Sequence, residues 1–230
     1  MFFSKTKRPD PVSSVQVSGT TLEVVSSYKY LGIILDSQLS FKKQVKNVLA
    51  KVKFNLHNFR YIRNNLPPAA ALQYFHSMIM PHITNCLTTW SHTHATTLLP
   101  IQSVYKQALK ALDGKPRAYH HCNILPKHKL LSWENLLTFH DTCLIYKILH
   151  DLAPPPLSTF IRQKNPLNRV TRASLRGDLV PPRRRSPLAF TVKASHSWNT
   201  LPDNIRDSIT YRSFARSLKT WFIQNYKCLH

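Results

Sequence analysis

Acidic side chains are scarce in this sequence. Of its 230 residues, 10 are Asp or Glu and 32 are Lys or Arg, which gives a formal net charge of +22 at pH 7. No acid occurs between Asp36 and Asp113, although nine Lys and Arg lie in that stretch. Solubility requires far less charge than this. The excess favours a polyanionic partner: nucleic acid, whose phosphates bind Lys and Arg with release of counterions, or else an anionic membrane surface.

Long apolar runs are missing too. Polar side chains interrupt the uncharged stretch 64–105 well before the ~18 apolar residues that would suggest a membrane span, so we expect no membrane partner. The N-terminus lacks an apolar signal segment and a small-residue cleavage site. We therefore expect an intracellular protein, nuclear or cytoplasmic, that is not secreted. The four cysteines are widely dispersed, which predicts reduced thiols and no disulfide framework.

Motifs for catalysis and metal binding are also missing. There is no Gly-x-Ser-x-Gly elbow, and Cys143 falls on an apolar helix face, which predicts a packed thiol. No Cys-x-x-Cys pair accompanies the 12 histidines, which we interpret as surface or helix-capping residues. We therefore predict no metal site and no catalytic residue. The histidines that most invite a metal interpretation are His120 and His121 with Cys122 and His128, and His92 with His94.

Apolar periodicity predicts an α+β fold that is mainly α-helical. Residues 12–35 read as two or three strands, a small N-terminal β-hairpin or three-stranded piece that includes an apolar run from Tyr30 to Leu35. A bundle of four helices follows: from an N-cap at Ser40 to about Asn64, from the prolines at 67 and 68 towards Trp90 with a kink at Pro81, over 98–112, and from Ser132 to about Ile148. A basic loop or hairpin and a closing helix with Phe214, Leu218, Trp221 and Phe222 complete the chain.

These elements divide the sequence into three segments. Residues 1–38 form the β segment, 39–153 the helical bundle, and 154–230 a basic C-terminal region. The last segment holds a triple-arginine cluster, which we interpret as a second phosphate site or a nuclear localisation signal, with a solvated loop as the alternative. Its residues are Arg183, Arg184 and Arg185.

The first predicted helix is amphipathic. Its apolar face carries Phe41, Val45, Val48, Leu49, Val52, Leu56 and Phe59. The basic residues fall largely off that face, so we predict that they contact phosphates; a merely solvated helix face is the alternative. These residues are Lys42, Lys43, Lys46, Lys53 and Arg60.

Three segments carry a resemblance to a known family. Residues 27–36 read Ser-Tyr-Lys-Tyr-Leu-Gly-Ile-Ile-Leu-Asp and precede the lysine-rich helix; residues 146–154 and the Trp-Asn-Thr-Leu-Pro segment at 198–202 follow in order. Together they resemble the region after the catalytic centre of LINE-type (non-LTR) retrotransposon reverse transcriptases. The resemblance implies that the helix from Ser40 is the first helix of the thumb. It implies a primer grip at Tyr28, Lys29, Tyr30, Leu31 and Gly32.

The residues of the implied primer grip suit that role physically. Gly32 permits close backbone approach, Lys29 can meet a phosphate, and the tyrosines can stack on sugars or bases. Without the resemblance, the same residues read as an ordinary half-buried strand with alternating tyrosines.

The resemblance also implies what this chain lacks. The full-length enzymes use Mg²⁺ held by a Tyr/Phe-x-Asp-Asp turn and an earlier aspartate, whereas this chain has no Asp-Asp pair. We expect no cofactor and no polymerase activity in the isolated chain, with the palm encoded before Met1. The expected function is that of a noncatalytic C-terminal fragment that binds RNA/DNA template-primer duplexes without sequence preference. The alternative is a basic helical protein-interaction module, and no feature indicates an oligomeric state.

Overall fold

The N-terminal strands form two separate hairpins. The computed structural model describes residue 3 and residues 15–164, 176–183 and 186–228. Strand β1 (Val15–Val17) pairs antiparallel with β2 (Thr20–Leu22), and β3 (Ser27–Tyr30) pairs antiparallel with β4 (Ile33–Asp36). The two pairs are separate sheets, so the strands do not join into a three-stranded piece.

Helices dominate the rest of the described chain and confirm the α+β, mainly α prediction. A π-helical turn spans Phe75–Ile79, and 3-10 turns span Arg63–Asn65, His121–Asn123 and Pro155–Phe160. Within the described chain, no helix combines the length and the apolarity that crossing a bilayer requires. The α-helices are α1 (Lys42–Ile62), α2 (Pro68–Tyr74), α3 (Met80–Thr84), α4 (Leu87–Trp90), α5 (Ala95–Leu112), α6 (Ile124–Lys127), α7 (Trp133–Leu149), α8 (Phe190–Asn199), α9 (Asp203–Arg206) and α10 (Tyr211–Gln224).

The chain divides into two compact units. The first unit comprises Met1–Cys86 and Thr93–Gly114, and the second comprises Leu87–His92 and Lys115–His230. Neither limit of the three sequence segments, at residues 38 and 153, coincides with this division. Within the first unit, side-chain bonds join the β3–β4 hairpin directly to the start of α1.

The core of the first unit lies where α1 packs against α5. Burial confirms the predicted apolar face of α1 for every member except Leu49, which is half-buried. Phe59 stacks on Tyr74 with ring centroids 4.9 Å apart. At the end of α1, the Arg63 Nε donates to the Leu112 carbonyl over 2.8 Å and fastens the helix to the end of α5. α5 ends at Leu112, as predicted, and Gly114 follows with a φ of 63° that suits glycine.

The second predicted helix is shorter than expected. A continuous helical path runs from Pro68 only to Thr84, and Trp90 belongs to the separate helix α4. The irregularity expected at Pro81 takes the form of the π turn that precedes it. Because proline has no N–H and its ring displaces the carbonyl four residues earlier, a wider turn accommodates it. The path ends next to Cys86, whose φ of 47° is left-handed.

The second unit is built around α7, which packs against both α8 and α10. Ser132 caps α7 as predicted, because its Oγ accepts the Asn135 N–H over 3.2 Å. The closing helix α10 is also confirmed. Helix α8, in contrast, was not predicted, because its buried face mixes polar residues with apolar ones and shows weak hydrophobic periodicity. The buried residues of α8 are Thr191, Ala194, Ser195 and Trp198.

The basic region before α8 contains a paired segment. The Lys164 N–H donates to the Asp178 carbonyl over 2.9 Å, and the Val180 N–H donates to the Arg162 carbonyl over 2.8 Å. These bonds lie on either side of the bridge between Gln163 and Leu179 and pair the two chain segments in antiparallel orientation. The intervening residues 165–175 lie outside the described chain.

Candidate nucleic-acid interface

The segment that resembles a primer grip forms a tight β-hairpin. Tyr28 faces Leu35 and Tyr30 faces Ile33 across the two strands. Leu31 and Gly32 make the turn with φ values of 47° and 85°, as in the two-residue turns that suit hairpin twist. The predicted continuous strand from Tyr30 to Leu35 is therefore wrong. A β-branched apolar run favoured an extended strand, but two successive residues of positive φ reverse the chain.

Gly32 serves this turn through its conformation. A Cβ added at Gly32 would meet the Asn85 Nδ2 at 3.6 Å, which is ordinary van der Waals contact. The site has room for a side chain, so it is the positive φ that favours glycine here. The expected role of Gly32 in close backbone approach to a partner stays a prediction.

The side chains of β3 are open to solvent on both faces of the strand. Tyr28 and Tyr30 are each 59% exposed, and Leu31 at the tip is 79% exposed. Lys29 points to the other face and is exposed as well. An ordinary strand would bury one of these faces, so the half-buried alternative does not describe β3. The two tyrosines and the lysine are therefore accessible to a partner.

A single carboxylate joins the hairpin to the start of α1. Asp36, at the end of β4, accepts the backbone N–H groups of Phe41 over 2.8 Å and Ser40 over 2.9 Å, and that of Gln38 over 3.2 Å. Burial alone would raise the pKa of Asp36, but these N–H donors outweigh it and lower the pKa below its usual value. The carboxylate thus stays ionised at the beginning of a helix, where negative charge is favourable.

The predicted N-cap at Ser40 is wrong. The N-cap is Phe41, with a φ of 56°, and its own side chain makes no capping bond. Its ring is buried, which holds the backbone in this left-handed conformation. The acceptor that Ser40 was expected to supply comes from Asp36 instead. Sequence proximity favoured Ser40, but the hairpin brings the carboxylate closer.

Two further bonds tie β3 and β4 to the first turn of α1. The Ile34 N–H donates to the buried Gln44 Oε1 over 2.9 Å. The Lys43 Nζ donates to the Ser27 Oγ over 2.8 Å. The hairpin and the helix start therefore form one bonded assembly within the first unit, and Lys43 is partly committed to it.

The remaining predicted cations of α1 form one cationic face, defined here as Lys42, Lys46, Lys53 and Arg60. All four are exposed. At 3.6 residues per turn they fall within an arc of about 40°, and they extend over about 27 Å of helix axis. No acid lies anywhere on α1. The positions predicted from the sequence therefore give a continuous row of positive charge.

Two exposed aromatic residues beside this face were not singled out from the sequence. Phe54 is 67% exposed and Tyr61 is 86% exposed, and they project from α1 seven residues, or about two turns, apart. Both lie off the apolar face of the predicted helix, so the period that located the lysines could also have found them. They add apolar surface next to the cations.

The triple-arginine cluster lies apart from this assembly in the sequence and in the division into units. Arg183 is exposed and belongs to the second unit. Arg184 and Arg185 lie outside the described residues. The described structure therefore joins the hairpin and α1 into one candidate surface of the first unit.

The other two segments of the family resemblance have structural roles in the second unit. The Tyr146 hydroxyl donates to the Ser208 carbonyl over 2.6 Å. Trp198 is buried. The Asn199 amide makes two bonds with the backbone of Leu179, donating over 2.9 Å and accepting over 2.7 Å. These bonds join α7 to the residue 208 region after α9, and the end of α8 to the strand-like segment at Leu179.

Potential metal and nucleophilic sites are few in the described chain. Among the described residues, the one group of three close metal-ligating side chains is His120, His121 and Cys122. It contains no carboxylate, so the described residues do not fit the two Mg²⁺ ions of a polymerase. Cys143 is buried, which confirms the predicted packed thiol, and burial raises its pKa to about 11. His92, in turn, bonds to Asp141 over 3.0 Å and to the Leu188 carbonyl over 3.2 Å.

No family model matches this chain, and comparisons with curated proteins and with solved structures likewise found no match. The resemblance to reverse transcriptases therefore stays a prediction that rests on the residues quoted above. The geometry of the first unit provides evidence about function that does not depend on this resemblance.

Proposed function

We propose that the first unit binds template-primer duplexes of RNA and DNA without reading their sequence, as the primer-grip and thumb portion of a LINE-type reverse transcriptase. In this proposal the cationic face of α1 contacts successive phosphates, and the β3–β4 hairpin contacts the end of the primer strand. The chain supplies binding and positioning, and the catalytic carboxylates belong to a palm encoded upstream.

The observation that carries the proposal is the cationic face. Its lysines are exposed and share one side of a 21-residue helix that has no acid of its own. A duplex carries one negative charge per about 1.7 Å of axis, so a row of cations about 27 Å long can lie beside several phosphates at once. The bonds from Asp36 hold the start of the helix in place, so the spacing of the cations is fixed before a partner binds.

The hairpin supports the same function. Tyr28 and Tyr30 are exposed on one face of β3, with Lys29 on the other. Aromatic rings of this kind stack on bases or sugars at strand ends, and a lysine can neutralise a terminal phosphate. Because Ser27 bonds to Lys43, the hairpin adjoins the first turn of the cationic helix.

The test is the salt dependence of duplex affinity. A labelled RNA/DNA hybrid is titrated with the full chain at several salt concentrations, and binding is followed by fluorescence anisotropy. Each phosphate contact contributes about 0.9 to the slope of log affinity against log salt. Replacing Lys42, Lys46 and Lys53 together by Ala should reduce that slope by about 2.7 if each lysine contacts one phosphate. A second duplex of unrelated sequence should bind equally well.

A matched control lies on the same helix. Lys51 is exposed but lies on the opposite flank of α1, about 160° around the axis from Lys53. Lys53→Ala should reduce the slope by about 0.9, whereas Lys51→Ala should leave it unchanged. A flat salt response of the unaltered chain, or equal effects of the two substitutions, would refute the proposal.

The proposed origin has a separate test. The coding DNA immediately upstream of Met1 should encode a Tyr/Phe-x-Asp-Asp turn in the same reading frame, within the distance that separates palm and primer grip in related elements. If no such turn is encoded there, the reverse-transcriptase origin is refuted while duplex binding remains testable by itself.

The second candidate function is protein interaction, and the exposed Phe54 and Tyr61 favour it. Large exposed aromatic residues beside cations are common at protein interfaces. In this case, replacing both residues by Ser should abolish partner binding while duplex affinity stays weak and insensitive to salt. If the duplex is the partner of α1, the same double variant should retain the steep salt slope, because the lysines remain.

A further inference from the structure

Side chains of the second unit gather into a cluster of nitrogen and sulfur atoms that the proposed function does not use. One potential ligand atom from each of His120, His121 and Cys122 lies within 4.8 Å of the other two. The His120 Nε2 is 3.9 Å from the Cys122 Sγ. In a tetrahedral zinc site, Zn–N bonds of 2.0–2.1 Å and Zn–S bonds of 2.3 Å separate N and S by about 3.6 Å. The observed spacing is close to that value.

The turn of the chain explains how three consecutive residues converge. His121 begins a 3-10 turn over His121–Asn123, and His120 precedes it in extended conformation. The change from extended to helical backbone directs neighbouring side chains to the same side. The imidazole rings of His120 and His121 have centroids 4.9 Å apart.

A second thiol, in the C-terminal segment, lies near the same tyrosine hydroxyl as Cys122. The Tyr226 hydroxyl lies 2.9 Å from the Cys122 Sγ and 4.0 Å from the Cys228 Sγ. Cys122, Tyr226 and Cys228 also line one cavity of about 280 Å³. Neither thiol belongs to a disulfide. Cys122 and Cys228, from parts of the chain far apart in the sequence, thus contact one phenol. Cys228 is not among the three side chains whose ligand atoms lie within 4.8 Å of one another, so it must move towards them to complete a tetrahedral site.

We propose that His120, His121, Cys122 and Cys228 bind one Zn²⁺ ion, and that this ion fastens the segment after α10 to the turn before α6. Two imidazoles and two thiolates are the ligand set of many structural zinc sites. Soft thiolates favour zinc over Mg²⁺ or Ca²⁺, which prefer oxygen ligands. The role is structural because all four coordination positions are filled by the protein.

Tyr226 lies where its hydroxyl group can orient a metal ligand, the Cys122 thiolate. The Tyr226 hydroxyl, 2.9 Å from the Cys122 Sγ, can donate a hydrogen bond to the Cys122 thiolate. Partners of this kind fix the geometry of metal ligands, and their loss costs about 10- to 100-fold in affinity.

Cobalt replacement gives a direct test. The full chain, reduced and stripped of metal with a chelator, is titrated with Co²⁺ alone. We expect one equivalent to produce the intense visible bands of tetrahedral cobalt together with a thiolate-to-cobalt charge-transfer band in the near ultraviolet, and Zn²⁺ to displace it. Because two thiols must lose protons on binding, the affinity should fall as the pH is lowered.

Substitutions identify the ligands. Cys228→Ser is the main variant, because Cys228 is exposed near the chain end and its loss should leave the fold intact. It should weaken the charge-transfer band and lower the affinity by more than 100-fold. Tyr226→Phe should keep the band and lower the affinity by about 10- to 100-fold. Cys86→Ser, which removes an exposed thiol of the first unit, is the matched control and should change neither quantity.

The outcomes separate clearly. Weak bands of octahedral cobalt, a stoichiometry other than one, or a spectrum that Cys228→Ser leaves unchanged would overturn the four-ligand site. An equal effect of Cys86→Ser would show adventitious binding to exposed thiols and would also overturn it. A rise in the melting temperature on adding Zn²⁺ to the unaltered chain, absent in Cys228→Ser, would support the structural role, since a ligand that binds the folded state stabilises it.

Discussion

Lys53 in the first unit and Arg206 in the second carry the same charge in opposite surroundings. Lys53 is exposed on a helix that has no acid. Arg206 is 5% exposed. Its Nη1 bonds to the Asp178 carboxylate over 3.0 Å and its Nη2 to that of Asp203 over 3.1 Å. The same Nη1 also donates to the Arg176 carbonyl over 3.2 Å.

The difference shows that the cations behind the net charge of +22 do not all have the same role. A cation without neighbouring acids keeps its charge available for a partner, whereas a buried guanidinium bonded to carboxylates organises its own unit. Net charge indicates a polyanionic partner, but only the first kind of cation can contribute to binding it. The comparison therefore predicts opposite consequences when the two residues are replaced.

The largest expected effect is on stability when Arg206 is removed. Arg206→Met should lower the free energy of unfolding by about 3–5 kcal/mol, because it leaves the buried Asp178 carboxylate without its charged partner. Lys53→Met should change it by less than about 0.5 kcal/mol, as surface substitutions do. Urea unfolding of both variants, followed by circular dichroism, measures the difference.

A double variant sharpens this prediction. Replacing both Arg206 and Asp178 by apolar residues should recover much of the lost stability, since a buried ion pair contributes little beyond the cost of its own desolvation. Among the described residues the Arg206 Nε has no hydrogen-bond partner, which adds to that cost. If the double variant were as unstable as Arg206→Met, the guanidinium would be needed for more than its bond to Asp178.

The next effect concerns the one carboxylate that serves the cationic helix. Asp36→Asn should lower the stability of the start of α1 by about 0.5–2 kcal/mol, the range for loss of a helix cap. The folded pKa of Asp36 is lowered relative to an unfolded value of about 3.9. Its contribution is therefore fully present above that unfolded pKa and is lost as the pH falls through the folded pKa.

Amide hydrogen exchange in the first turns of α1 measures this contribution at several pH values. The difference between the original chain and Asp36→Asn should be constant near neutral pH and should shrink below about pH 4. The exposed Glu23, replaced by Gln, is the matched control and should show no such difference. A gap that widened on acidification would contradict the assignment of the shift to Asp36.

The features that could be predicted from the sequence are those that depend on local periodicity and composition. The buried and exposed sides of α1, the ends of α5 and α7, and the closing helix follow from the spacing of apolar residues. The turn at Leu31 was missed because a leucine with positive φ contradicts its intrinsic preference. Helix α8 was missed because residues such as Thr191 and Ser195 are buried in it.

The candidate sites also differ in how far they could be predicted from the sequence. The cationic face needs only one helix, so its members could be identified from the sequence. The cluster of His120, Cys122 and Cys228 needs tertiary structure for its last member, because Cys228 lies far from the consecutive residues 120–122 and the set lacks the spacing of a zinc motif. The cap at Asp36 lies between these cases, since a hairpin must form before the carboxylate reaches Phe41.

An effect of similar size is expected at the hairpin turn. Gly32→Ala should lower the free energy of unfolding by about 1–2 kcal/mol, the cost of placing a side chain at positive φ. The new Cβ would meet the Asn85 amide at an ordinary 3.6 Å, so no steric clash adds to this cost. Urea unfolding measures the loss, and Gly19→Ala in the other hairpin, where φ is 78°, should behave alike.

The smallest effect is a gain in stability at the neighbouring position. Leu31 is 79% exposed with a φ of 47°, so its side chain contributes little burial and adopts an unfavourable conformation. Leu31→Asn should raise the stability of the hairpin by a few tenths to about 1 kcal/mol, because Asn-Gly is the preferred pair for such turns. Hydrogen exchange of the β3 and β4 amides measures the gain. If duplex affinity fell while the hairpin became more stable, Leu31 itself would contact the partner; unchanged affinity would leave that contact to Tyr28, Lys29 and Tyr30.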